Sequence, residues 1–160
     1  MTATVPEPTV PEASMREPTM PGPTVPEASM RELIVLKVIL VAAGLVVVGV
    51  GGAILTVPDA FHAGNGIVYA GNSSLLSETR AAGGALLAIG LLIALGAFVR
   101  RLAFTATVVG TVLYLAYGFA RLVSLAVDGP PASALVAATA VELVLGVACG
   151  YALVRYRRRA

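Results

Sequence analysis

Residues 33–55 read LIVLKVILVAAGLVVVGVGGAIL, an apolar run broken only by Lys37 and closed by Val57-Pro58. About 23 helical residues at ~1.5 Å each span the ~30 Å hydrocarbon core of a bilayer. A cleaved secretory signal would carry an apolar stretch of only ~7–15 residues. The run is therefore expected to remain as a membrane helix. Three more such stretches come after it: residues 81–99 without a charge, residues 102–127 with Arg121, and residues 132–154 with Glu142. They are joined by a segment running from Pro58 to Ser77, by Arg100-Arg101, and by the turn sequence Asp128-Gly129-Pro130-Pro131. The expected fold class is all-α, a polytopic transmembrane four-helix bundle over residues 33–154 with a short basic end at 155–160.

Composition agrees with a chain dissolved in lipid. Hydrophobic residues make up 58% of the 160 and charged ones 12%, against ~45–50% and ~25% in soluble domains. The mean hydropathy is +0.89. These values exclude a cytosolic enzyme of ordinary make-up. They also leave no basic face for nucleic acid. Cys149 is the only cysteine, so no disulfide framework exists within the chain.

The first 32 residues differ from the rest. They hold seven of the ten prolines and carry five glutamates against two arginines, a net of −3, whereas the remainder has nine basic and four acidic residues, a net of +5. Proline removes backbone donors and disfavours helix before it, and a polar segment buries too little to offset its ordering entropy. Residues 1–32 are thus expected to be a disordered tail. The nonapeptide TVPEASMRE stands at 9–17 and again at 24–32. Two polar copies are too few for a stacked repeat array and point to tandem duplication. Met30, just before the first apolar run, offers an alternative translation start.

Orientation is read from lysine and arginine. Arg31, Lys37, Arg100, Arg101, Arg155, Arg157, Arg158 and Arg159 all fall at one end of a four-span bundle, and only Arg80 falls at the other. The expectation is a multi-pass protein of the inner or plasma membrane with both termini cytoplasmic. The Pro58–Ser77 connection is then external. Within it Asn65-Gly66 marks a turn, and Asn72-Ser73-Ser74 supplies capping side chains for the next helix. His62 is the lone histidine; with no second nitrogen or thiol ligand nearby it reads as a loop residue, not a metal ligand.

Charges inside spans are costly and concentrate at packing pairs or functional pathways. Tyr114, Tyr117, Arg121, Ser124 and Asp128 recur every three or four residues and so share a helical face. In the last span Ala134, Ala138, Glu142, Gly146 and Gly150 repeat every four, a small-residue stripe that carries Glu142 into a helix contact. Arg121 lies nine residues before Pro130, and Glu142 eleven after Pro131. Their depths then differ by only ~3 Å, which predicts an Arg121–Glu142 ion pair near the bilayer middle. Arg80 falls level with Asp128 and is a candidate partner for it. Glu78 suits the positive end of its helix. Glycines on the first two spans, in stripes through Gly44, Val48 and Gly52 and through Gly83 and Gly84, are expected to let those helices approach closely.

The candidate polar cluster is therefore Glu78, Arg80, Tyr117, Arg121, Ser124, Asp128 and Glu142. Two readings of it stand. Either these groups satisfy one another and pin helix register, or they line an outward-opening cavity for a ligand or a proton.

The same residues carry a family resemblance. Glu78-x-Arg80 before Gly83-Gly84, then Arg121-x-x-Ser124-x-x-x-Asp128-Gly129-x-Pro131, then Glu142 one helix on, resembles an uncharacterised family of four-helix bacterial membrane proteins distantly akin to the DoxX-like group. The resemblance covers roughly residues 33–154. Ala120 stands where that family often has glycine before the motif arginine, which loosens one expected helix contact. What the resemblance implies is a fold and a membrane location, with no assigned activity.

Catalysis is poorly supported. The chain has no histidine–cysteine pairing, no phosphate-cradling glycine loop and no cluster of metal ligands; Glu142 and Asp128 fall ~20 Å apart along the axis. No cofactor or metal is expected, and the partners expected are the lipid bilayer and a second copy or another membrane protein. The favoured reading is a structural or partner-binding membrane subunit. The alternative is a small-molecule or proton-coupled binding or transport protein built around Arg121 and Glu142.

Overall fold

The structure of the protein, a computed structural model, describes residues 27–158. Five helices occur in order: α1 Glu27–Thr56, α2 Pro58–Ala63, α3 Ser73–Leu95, α4 Arg100–Asp128 and α5 Ser133–Arg157. No strand occurs among the described residues. Four of the helices, from Met30–Thr56 to Ser133–Arg157, are long and apolar enough to cross a membrane. Between 11% and 33% of the most apolar window of each is buried in the protein. Most of the apolar surface thus faces outward, as it does when the solvent is lipid. This is a multi-pass membrane protein.

Helix boundaries depart from the hydropathy boundaries in several places, α5 for one running on to Arg157. Glu27–Glu32 is helical and not tail, because Pro26 is the last proline before Pro58 and the residues after it are mostly good helix formers. The rest of the expected tail, residues 1–26, lies outside the described residues. The second span starts at Ser73 instead of residue 81, since Asn72 Oδ1 accepts from Leu75 N at 3.1 Å and caps the helix there. It stops at Leu95, not residue 99. Gly96 lies so close to α4 that a Cβ there would run into the Cβ of Ala106. Finally, the connection after Val57 holds α2, opened by Pro58 at the first helical position.

The helices pack as two pairs. Contacts are most extensive between α1 and α3 and between α4 and α5. In the first pair, Gly44 and Gly51 of α1 and Gly83 and Gly90 of α3 lie in the helix contact, with Gly51 and Gly83 against each other. A Cβ on Gly44 would stand 2.6 Å from Ala94 N, one on Gly83 2.7 Å from Leu55 N, and one on Gly90 2.7 Å from Val48 N. Gly52 and Gly84, expected in these stripes, have open space around them. The reason is periodicity. Seven residues bring a helix round almost two full turns, whereas eight carry it ~80° past, so Gly51 and not Gly52 repeats the face of Gly44. In the second pair the fit is reciprocal. A Cβ on Gly118 would meet Leu143 Cδ2 at 2.7 Å, and one on Gly146 would meet Leu115 Cδ2 at 2.7 Å.

Leu40, Ile93, Thr107 and Cys149, one from each long helix, are fully buried and join the two pairs. Toward the α2 end, the Tyr114 hydroxyl donates to the Ala43 carbonyl at 2.6 Å, tying α4 to α1. At the opposite end Arg155 Nη1 lies 3.3 Å from Glu32 Oε1, and Arg155 Nε donates to the Tyr151 hydroxyl at 2.9 Å.

Candidate functional site

Toward the end that carries α2, a half-open pocket of about 700 Å³ lies between the two helix pairs. That volume is in the range of small-molecule sites, which are mostly apolar with a few placed polar groups. Each long helix contributes to the wall, and α2 with the loop behind it closes over one side. Branched aliphatic side chains dominate: Val46, Val50, Ile54, Leu86, Leu113 and Leu135.

The polar part of the wall centres on one ion pair. Arg121 Nε donates to both carboxylate oxygens of Glu142, at 2.9 and 3.1 Å. Their side chains are 31% and 15% exposed, so the pair is half-buried. Arg121 is seven residues inside the end of α4 and Glu142 nine inside the start of α5, or ~10–14 Å from the helix ends. At that depth two ions are tolerable only because each neutralises the other. One turn further in, Tyr117 presents its ring to the cavity, and Tyr114 lies below it with its hydroxyl already engaged. Ala134 and Ala138 of α5 continue the wall on the same face as Glu142. Small side chains there leave the room that the cavity occupies.

Of the seven residues expected in one cluster, the structure brings three to the cavity: Tyr117, Arg121 and Glu142. Ser124 and Asp128 lie off it, exposed, with the Ser124 hydroxyl donating to Asp128 Oδ2 at 2.8 Å. Glu78 and Arg80 are also exposed and absent from the wall. No ion pair joins Arg80 to Asp128 among the described residues; level depth on two helices does not bring side chains together when their faces diverge. The face α3 turns inward is Thr79, Ala82 and Leu86, at helical spacing, and Glu78 and Arg80 flank it on either side.

The contributors from α2 and the loop after it, Phe61, His62, Gly64, Asn65, Ile67 and Tyr69, had no period to reveal them. The His62 ring meets Phe61 edge-on at 5.2 Å between centroids and Tyr69 edge-on at 5.6 Å. The fold of the loop makes this possible. Asn65 N, Ile67 N and the helix-capping N–H of Gly64 all turn back to donate to His62 O. Gly66 has φ +75°, and Ala70-Gly71 form a turn with φ +48° and +75° closed by Asn72 N donating to Tyr69 O at 2.9 Å. Such a turn with both central φ positive is the type I′ form. It places Tyr69, 5% exposed, back against the bundle. His62 Nε2 is buried and has no hydrogen-bond partner among the described residues. No group of three or more metal-ligating side chains occurs among them either.

Comparison with known proteins returned no match among curated proteins or solved structures. A family model does match. It covers residues 35–153, hence nearly all of the four spans and the whole cavity, and neither a bacterial origin nor kinship with the DoxX-like group forms part of it. On that match the chain belongs to DUF4345, a family defined by a domain of unknown function.

Proposed function

We propose that the protein is a membrane-embedded binding protein for a mainly apolar small molecule, held in the cavity between the two helix pairs. The observation that carries this reading is the cavity itself: about 700 Å³, walled by branched aliphatic side chains, with an internally neutralised Arg121–Glu142 pair in its wall. A core that existed only to hold four helices together would be packed to the density of an organic crystal. Here α5 puts alanines, Ala134 and Ala138, where bulky side chains would fill the space.

Binding is favoured over catalysis because the wall offers one carboxylate already paired to arginine and no activated nucleophile beside a base. The reading as a structural or partner-binding subunit has the outward apolar faces behind it, and lipid covers those equally well. Proton-coupled transport has the intramembrane Glu142 behind it, held in a contact that a proton would break. We place the termini on the cytoplasmic side of the inner or plasma membrane, on the strength of Arg100, Arg101, Arg155, Arg157 and Arg158 at the end opposite α2.

The test is native mass spectrometry of the full chain released from mild detergent, wild type beside Ala138→Trp. Wild type is expected to retain a co-purifying small molecule. Ala138→Trp, whose indole fills the cavity from the α5 wall, is expected to lose it while keeping its helix content. Retention of the same adduct by both forms, or no specific adduct on either, overturns the reading.

A further inference from the structure

At the end opposite α2, a half-open groove of about 370 Å³ runs between the start of α1, the start of α4 and the end of α5. It has no part in the cavity described above. We infer that this groove seats an anionic phospholipid, its phosphate between Arg100 and Arg155 and an acyl chain along α1. On α1 the wall is Glu32, Val35, Leu36 and Ile39, at spacings that share one helical face. Across from them stand Tyr151, Ala152, Arg155 and Tyr156 of α5, again one turn apart. From Glu32 to Ile39 the wall runs ~10 Å along the axis. A headgroup layer is only ~5–8 Å deep, so the groove passes through that layer into hydrocarbon. Glu32, Arg100 and Arg155 all lie near helix ends, whereas Leu36 and Ile39 lie further in. A phospholipid changes from charged to aliphatic in the same order.

The rim selects the charge of the headgroup. Arg155 is fixed by its neighbours: Nε donates to the Tyr151 hydroxyl at 2.9 Å, Nη1 lies 3.3 Å from Glu32 Oε1, and Cζ lies 5.4 Å from the Tyr151 ring centroid. Its Nη2 has no partner among the described residues. Arg100 is exposed, and its side chain makes no ion pair or hydrogen bond among them. Two arginines against one glutamate leave the wall with a net charge of +1, the complement of one phosphodiester. Guanidinium also matches the geometry of phosphate oxygens. α4 begins at Arg100 without a side-chain cap, and the positive end of a helix adds to the same field. A zwitterionic lipid would bring an ammonium that a net-positive wall repels. Membrane topology explains why basic residues gather at this end. It does not explain an aliphatic groove leading inward from two of them.

The experiment titrates dioleoyl phosphatidylglycerol or dioleoyl phosphatidylcholine into the delipidated full-length protein in mild detergent and counts bound lipid by native mass spectrometry. Wild type is expected to take up phosphatidylglycerol at a concentration about tenfold below that needed for phosphatidylcholine. Arg100→Gln breaks no contact among the described residues. It should raise the half-saturating phosphatidylglycerol concentration about tenfold, as for one lost charge-assisted hydrogen bond, and Arg100→Lys should recover part of the loss. Arg155→Gln should act in the same direction. The control is Arg101→Gln, an equal change of charge one residue away and outside the groove wall, expected to shift binding by no more than about twofold. Millimolar inorganic phosphate should leave the lipid in place, because it cannot fill the aliphatic part. Equal effects of Arg100→Gln and Arg101→Gln would reduce the attraction to diffuse charge and overturn the inference. Equal uptake of the two lipids would overturn it as well, and displacement by inorganic phosphate would assign the groove to a free anion instead. None of these outcomes bears on the cavity at the α2 end.

Discussion

At the scale of single residues, the Arg121–Glu142 contact is the most exposed to test. Two ions ~10–14 Å inside the helix ends hold their place only as a pair. Removing one partner of a buried pair typically costs ~3–5 kcal/mol, because the other is left without compensation. Glu142→Ala and Arg121→Ala are each expected to destabilise at the lower end of that range, given their half-buried state. The double variant should lose much less than the sum, with a coupling of ~1–3 kcal/mol. Thermal unfolding in one fixed detergent gives all four corners of the cycle, and additive losses would mean that the side chains do not meet. Tyr114 makes a simpler case. Tyr114→Phe deletes only the hydroxyl that donates to Ala43 O and is expected to cost ~0.5–1.5 kcal/mol in the same assay.

At the scale of helices, close approach decides which glycines matter. Gly51 faces the backbone of α3 at Leu87, whereas Gly84 faces open space. Gly51→Leu would drive a side chain into main chain that cannot yield, and a loss of ~3 kcal/mol or more is expected. Gly84→Leu should stay within ~0.5 kcal/mol of wild type. Equal tolerance of the two substitutions would contradict the register of α1 on α3. The cap of α3 belongs to this scale as well: Asn72→Ala removes the acceptor for Leu75 N and is expected to lower stability by ~0.5–2 kcal/mol. These elements also show what the sequence alone makes legible. The Arg121–Glu142 contact could be read because helix rise and the Pro130-Pro131 turn convert residue counts into depth. The glycine register was half legible, since spacing names small residues but not which of two adjacent ones points at the partner. Glu78 and Arg80 were misplaced for the same reason, one residue to either side of the inward-facing Thr79. Phe61, His62 and Tyr69 could not be assigned to a wall, because a six-residue helix, α2, and a loop that folds back through positive-φ turns at Gly66 and Ala70-Gly71 are too short or too irregular to show a period.

At the scale of the whole molecule, lipid as solvent accounts for the outward apolar faces, the small buried core and the scarcity of charge inside the spans, where Lys37 and the Arg121–Glu142 pair stand. Two closely packed pairs, each closed by glycine, are joined through Tyr114 and a thin buried layer at Leu40, Ile93, Thr107 and Cys149. That division is what opens the cavity at the α2 end. The four-span arrangement requires α2 and the α3–α4 turn to lie on opposite sides of the bilayer. Thiol labelling tests this directly, in a Cys149→Ala background with one cysteine introduced at Gly64 or at Arg101. With intact cells and a membrane-impermeant maleimide, Gly64→Cys is expected to react at once and Arg101→Cys only after the membrane is opened. Reaction of both from the same side would contradict the account.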